Sequence, residues 1–280
     1  MSYIPHSYQP YSDKSGECLV IGSEGGRFVG LRIESISFPL TINAAQAGIC
    51  LCLMNGEQPK EILCSHEYDS DLSYWTSRFN ITITRVETKQ LQLVIEEALV
   101  LQQTMLVGHG KELFSPISQE EFGTSEIILQ RKGADIYQGK NLPIFTKEHM
   151  DRLASKLRSL CSLAICEESH FPVSALIWTE LGFFPGVNIE FNDWGYGLCA
   201  ERMALVSALR FAPKQIFGVF VHAEKGDLST PCGACRQILN EHMPLAKLYC
   251  LHKDETWSEY FIHELLPHAF SSTILSKSRD

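Results

Sequence analysis

The chain has 280 residues, a formal net charge of −9 and 45% hydrophobic residues, enough to bury a substantial core and too much for a small disulfide-stapled scaffold. The acidic balance, with no dense Lys/Arg segment to offset it, makes nucleic acid an unfavoured partner. No apolar run approaches the roughly 18–20 residues that a membrane-spanning helix needs, and ten cysteines without a secretory leader pattern lead us to expect the reducing cytoplasm.

In chain order, residues 44–52 read as a helix, and 62–64 and 81–86 as strands. Residues 90–106 hold helix formers and apolar residues and read as a helix that links or decorates two domains. From 128 to 146, Gly133, Gly139 and Pro143 interrupt the patterning and mark a linker. Thr146 can cap a helix whose Met150, Leu153, Leu157, Leu160 and Ala164 recur at helical spacing. Residues 173–178 and 187–191 read as strands joined by a glycine-rich turn around Gly182. A helix over 199–210, a strand over 216–221, a helix from about 232 and a short strand over 248–251 complete the pattern. Helices and strands alternate, as α/β layering requires.

Two stretches carry chemistry: Cys199-Ala200-Glu201, and Pro231-Cys232-Gly233-Ala234-Cys235-Arg236-Gln237. A closed structural zinc site normally uses four Cys or His ligands, whereas three leave a tetrahedral Zn²⁺ one open position for water. If a helix begins at Cys232, its sulfur and that of Cys235 share one face, and the free N–H groups of the helix start favour thiolate. A C-x-x-C alone suits a structural zinc or a redox dithiol equally well. The third cysteine and the unspent carboxylate of Glu201 separate this pattern from both. Cys18, Cys50, Cys52, Cys64, Cys161, Cys166 and Cys250 are expected as buried small hydrophobes. His222, His242, His252, His263 and His268 lack the spacing of a second metal site, and aromatic packing is the expected role of Trp178 and Trp194.

Taken together, these stretches resemble the zinc-dependent deaminase signature, in which a non-ligating glutamate accompanies a Pro-Cys-x-x-Cys, and within it the cytidine deaminase family. The resemblance covers roughly residues 169–270. Ser169-His170-Phe171-Pro172-Val173, Asn188-Ile189-Glu190 and Leu265-Leu266-Pro267-His268-Ala269-Phe270 match further family segments in the right order. It implies one Zn²⁺ on Cys199, Cys232 and Cys235, with Glu201 as the catalytic proton shuttle. Phe171 would pack on the pyrimidine, and Asn188 and Glu190 would bind the sugar hydroxyls. The implied activity is hydrolytic deamination of cytidine or deoxycytidine to the uracil nucleoside with release of ammonia, as in pyrimidine salvage. Ser174 departs from the family's usual glycine, and Phe191 replaces an asparagine of the short tetrameric enzymes, as in the longer bacterial ones. Three thiolates on Zn²⁺ leave a formal charge of −1, so a cation should sit beside them; Arg202 is expected to donate to the sulfurs, with Arg236 as a second candidate.

The chain also repeats itself. Gly26-Arg27-Phe28-Val29-Gly30-Leu31-Arg32-Ile33-Glu34 matches Gly182-Phe183-Phe184-Pro185-Gly186-Val187-Asn188-Ile189-Glu190 at five of nine positions, at a constant offset of 156. The neighbouring Phe38-Pro39-Leu40-Thr41-Ile42 resembles the family's approach to its first zinc ligand. The same offset puts Asn43 at the place of Cys199, Ala45 at that of Glu201 and Arg32 at that of Asn188. We therefore expect two tandem cytidine deaminase-like α/β/α domains with mixed sheets flanked by helices: a degenerate, zinc-free copy over 1–135, a linker over 136–145 and the catalytic copy over 146–280. Long-form cytidine deaminases also pair an active with an inactive copy, but with the active one first. The resemblance further implies a homodimer that makes a pseudo-tetramer. The competing readings are a deaminase of polynucleotides or of a modified nucleoside, and a non-enzymatic, zinc-stabilised binding protein.

Overall fold

The computed structural model describes residues 7–12, 16–104 and 145–270. The sequence repeat becomes two sheets of one design. In the first, β1 (Glu17–Gly22) pairs antiparallel with β2 (Arg27–Leu31) and with β3 (Pro59–Ser65), and β3 takes β4 (Thr82–Val86) in parallel. In the second, β5 (Val173–Thr179) pairs antiparallel with β6 (Gly182–Val187) and β7 (Ile216–Ala223), and β7 takes β8 (Lys247–Leu251) in parallel. The order β2-β1-β3-β4 is thus repeated as β6-β5-β7-β8. Only the second sheet carries a further strand among the described residues, β9 (Trp257–Phe261), antiparallel to β8.

One close contact fixes each unit. Gly30 on β2 lies opposite Cys18, and Gly186 on β6 lies opposite Ala175. Across Gly30 runs α1 (Ala44–Met54), so near that a Cβ would overlap the Ala44 carbonyl; across Gly186 runs α5 (Ala200–Leu209), where a Cβ would overlap the Ala200 carbonyl and the Ala204 nitrogen. With no side chain between them, backbone meets backbone, which is the use of glycine here. Every residue of α1 is buried, so this helix is apolar all round rather than amphipathic.

The outer faces are covered by helices from opposite ends of their units. On the second sheet, α4 (Lys147–Cys161) lays Leu153, Leu157 and Leu160 in one cluster with Leu176 and Trp178. Its start is capped as expected, with the Thr146 hydroxyl accepting from the His149 N–H at 3.3 Å. On the first sheet the same task falls to α3 (Thr88–Thr104), whose Leu91, Ile95 and Leu99 cluster with Leu19 and Val29. The helix expected over 90–106 therefore decorates the first unit as far as it is described. Each unit is a mixed sheet between helices, and the molecule is two such α/β units in tandem.

Three expectations need correction or limits. The strand placed at 187–191 lies instead at Gly182–Val187, directly after a tight turn at Glu180 and Leu181. The Asn188 side chain explains where it stops: its Oδ1 accepts the Val173 N–H at 2.8 Å and so occupies the next rung of the ladder. β9 and α2 (Ser73–Phe79) had no sequence expectation. The linker expected over 136–145, except Phe145, and the boundary at 135/136 lie outside the described residues.

The units meet reciprocally. α6 (Gly233–His242) stands between β7 and β8 as α2 stands between β3 and β4. The Glu241 carboxylate on α6 accepts the Ser35 hydroxyl at 2.9 Å, the Ile36 N–H at 3.0 Å and the Tyr11 hydroxyl at 2.5 Å. At the matching place of the other unit, Phe191 meets the edge of Trp75 on α2 at 5.4 Å, and Tyr196 stacks on Tyr74 at 3.6 Å. Segment 35–36 on α6 and segment 191–196 on α2 are the two halves of a pseudo-twofold contact, like that of an isologous dimer. One half is polar and the other aromatic.

Gly186→Ala must push α5 off the sheet; we expect a loss of about 3 kcal/mol, read as a lower urea midpoint at unchanged m-value. Glu241→Ala strands the Ile36 N–H and the Ser35 hydroxyl, and should cost about 2 kcal/mol in the same measurement; a change below about 0.5 kcal/mol, the usual size for an ordinary surface residue, would show that this carboxylate does not tie the units together.

Candidate active site

Two helix starts converge on three sulfurs. Cys199 is the N-cap residue of α5 and Cys232 that of α6, both with extended backbone, and Cys235 lies in the first turn of α6. The Cys199 and Cys232 sulfurs are 3.8 Å apart, those of Cys232 and Cys235 3.6 Å, and all three lie within 4.8 Å of one another. Three thiolates on a tetrahedral Zn²⁺ at about 2.3 Å would stand about 3.8 Å apart, so the donors and their spacing fit the metal. No other group of three such side chains has metal-ligand geometry among the described residues.

The three sulfurs act on one another. Hydrogen bonds among them, helped by the Ala234 and Cys235 N–H groups, hold the Cys232 thiol far below the ordinary cysteine range. The same sulfur–sulfur hydrogen bonds, together with burial, push Cys199 and Cys235 up. Glu201, in the first turn of α5, is buried, and its Oε2 accepts from the Cys235 thiol at 3.4 Å. Burial raises its pKa above the usual carboxylate value.

A cavity of about 420 Å³ opens over this cluster, lined by Phe171, Asn188, Glu190, Cys199, Glu201 and Cys232 among others. Cys235 is buried beneath it. At one end the polar groups lock one another: Ser169 donates its N–H and its hydroxyl to the Glu190 carboxylate at 3.0 and 2.7 Å, and the Asn188 amide donates to Glu190 Oε1 and to the Phe171 carbonyl, both at 3.1 Å. Phe171 is 38% exposed, so it is a wall of the cavity rather than a core residue.

Two expectations are revised. Arg202 does line the cavity, but its Nη2 donates to the Gly197 carbonyl at 2.9 Å, not to a sulfur; Arg236 likewise sends Nε to the Pro231 carbonyl at 2.8 Å. The sulfurs sit at helix starts already rich in N–H donors, whereas the loop carbonyls just before each helix need a partner, so both guanidinium groups brace loops that carry a cysteine. Trp194 is not packed away; it is 71% exposed and lines the cavity. Sequence reading also missed Leu228, Ser229 and Thr230 on the opposite wall, whose one signal was their position just before Pro231. Trp178 is buried against Phe183 and Phe217, as expected. Of the cysteines expected as core, all are buried except Cys166, which is half-buried. His222 and His252 are buried and hydrogen-bonded, and burial pulls His242, packed on Tyr8, down to about 4.

In the first unit Asn43 is the N-cap residue of α1, as Cys199 is of α5, and it accepts a hydrogen bond from Arg32 Nη1 at 3.1 Å. Ala45 stands where the second unit has its buried carboxylate.

Residues 147–251 match the family model described as the cytidine and deoxycytidylate deaminase zinc-binding region. A cytidine deaminase of Mycoplasma genitalium is 33% identical over 129 residues, 45% of this chain and 99% of that protein. A probable cytidine deaminase of Dictyostelium discoideum is 33% identical over 127 residues, covering 86% of its own length. Among solved structures, cytidine deaminase from Burkholderia pseudomallei is 30% identical, with 45% of this chain and all of that one covered, at a TM-score of 0.40. The two sequence relatives are matched nearly whole, and by their likeness the chain belongs to the cytidine deaminase family.

Proposed function

We propose that the chain is a zinc-dependent hydrolase that converts cytidine or deoxycytidine to the uracil nucleoside and ammonia. Residues 146–280 form the catalytic unit with a single zinc on Cys199, Cys232 and Cys235; residues 1–135 form a degenerate, non-catalytic copy, joined through 136–145. The observation that carries the reading is a buried carboxylate, Glu201, set against three clustered thiols at the floor of a cavity of about 420 Å³. No helix of the described residues is long and apolar enough to cross a membrane, and we place the enzyme in the cytoplasm.

Zinc held there supplies Lewis-acid activation of water. The protein's own residues do the rest. Glu201 takes the proton that the attacking water loses as its oxygen bonds to C4 and passes it to the ring N3; it then takes the remaining proton from the new C4 hydroxyl and delivers it to the departing amino group, so that the C4–N bond breaks and a carbonyl and ammonia result. One group serves as base and then acid, which calls for a pKa nearer the working pH than that of an exposed glutamate, and burial moves Glu201 in that direction. Phe171 covers the ring face. Asn188 and Glu190, already braced by Ser169 and Val173, present fixed polar atoms to the sugar hydroxyls. Arg202 holds the loop ahead of Cys199 through the Gly197 carbonyl and is a positioning residue.

The pseudo-twofold contact within the chain supports a further point of assembly. Each unit takes the place that a separate subunit would take in an oligomer of single-unit enzymes, and we infer a homodimer of chains as a pseudo-tetramer. Sedimentation of an active monomer would overturn it.

Glu201→Gln should keep its zinc and lose turnover by at least roughly 10²- to 10⁴-fold, the scale of general acid–base work, measured by ultraviolet absorbance on cytidine with metal content quantified alongside. Equal turnover would remove the role given to Glu201. Zinc binding should also release protons near neutral pH, because cysteine ligands bind as thiolates, as read with an indicator in weak buffer. By the same sign, zinc affinity falls as the pH is lowered, because the ligands must be deprotonated to bind.

A further inference from the structure

The first unit still has a cavity where its counterpart has the active site. It measures about 450 Å³, against about 420 Å³ for the one over the three sulfurs. Its walls correspond position by position: Arg32 with Asn188, Phe38 with Trp194, Asn43 with Cys199 and Ala45 with Glu201. Loss of the chemistry has not closed the space.

The serine–glutamate clasp is also still assembled, beside the cavity's Arg32. Ser12 gives its N–H to Glu34 Oε2 at 3.0 Å and its hydroxyl to Oε1, the same two bonds that Ser169 makes to Glu190. Arg32 reaches Glu34 with Nε at 3.2 Å and Asn43 with Nη1, while Nη2 takes no partner among the described residues. At the mouth, Phe38 is 83% exposed, an apolar ring presented to solvent beside a polar cavity. The aromatic wall continues from the other unit: Gly195 and Tyr196 face this cavity, whereas Trp194, Gly197 and Leu198 face the one over the sulfurs.

We infer that this cavity is a second, non-catalytic binding site for an uncharged pyrimidine nucleoside. The charge of the walls selects within that class. The Arg32 guanidinium is already balanced by Glu34 at 3.2 Å, and the Asp71 carboxylate also lines the cavity, so the site carries a net negative charge that disfavours a phosphate. Spare N–H groups of Arg32 and the acceptor oxygens of Asp71 instead suit sugar hydroxyls and the polar edge of a ring, and Phe38 suits its face. With no sulfurs here, and Ala45 at the place of Glu201, the bound nucleoside is left unchanged. The inference rests on the proposed function only in its choice of a nucleoside.

The test is equilibrium dialysis of labelled uridine against the zinc-loaded full chain, in wild type and in three variants. Two classes of site are expected. Asn188→Ala should remove one, and Arg32→Gln or Phe38→Ala should weaken the other at least about tenfold while cytidine turnover per zinc holds. Because Phe38 is exposed, its truncation keeps the test free of folding losses. A single class that responds to Asn188→Ala alone overturns the inference, and so does tighter binding of uridine monophosphate than of uridine at the Arg32-dependent site. A single class that responds to Arg32→Gln and Phe38→Ala supports it and overturns instead the nucleoside role of the cavity over the sulfurs. No uridine binding anywhere overturns both.

Discussion

The architecture depends on a helix lying directly on a strand with no side chain between them. At Gly186 the backbone of β6 touches that of α5, and at Gly30 that of β2 touches that of α1. The depth of the helix on the sheet sets where its first turn ends, and the first turn of α5 carries Cys199 and Glu201. A methyl group at that contact would therefore displace Cys199 and Glu201 at once. Interiors packed at crystal-like density transmit such shifts instead of absorbing them.

The two units show how far fold and chemistry can separate. Both keep the glycine contact, the hairpin, one parallel pair (β3 with β4, β7 with β8) and the serine–glutamate clasp, since each holds backbone in place. What differs is a few side chains at helix starts. Asn43 and Ala45 keep α1 beginning where α5 begins, with an extended N-cap backbone in both, while offering a metal nothing and a water nothing. The contact between the units ties one to the other: the carboxylate of Glu241, on the helix that bears Cys232 and Cys235, finds its donors in the other half.

Much of this was legible in the sequence. Cys199, Glu201 and the Cys232/Cys235 pair announce themselves because metal chemistry demands fixed residue types at fixed spacing, and the glycine-bearing repeat does so because only glycine fits its contact. Strand β6 was misplaced because Asn188 ends the ladder with its side chain, which no periodicity reveals. Arg202 was drawn to the wrong partner because charge balance around a metal names a need but not the group nearest to hand, here the Gly197 carbonyl. Trp194 departs from its expected packing role because an aromatic residue looks the same in sequence whether it fills a core or rims a cavity. The reciprocal contact of α2 and α6 stayed hidden because it joins segments far apart in the chain.

The run from Trp194 to Leu198 faces one cavity with some residues and the other cavity with the rest. Such a partition has a hereditary consequence. A change in this short run that suits one half of the molecule is judged by the other half as well, so it drifts under two sets of demands while the rest of each unit answers to one. At these five residues the second half is less free to change than a lone unit would be.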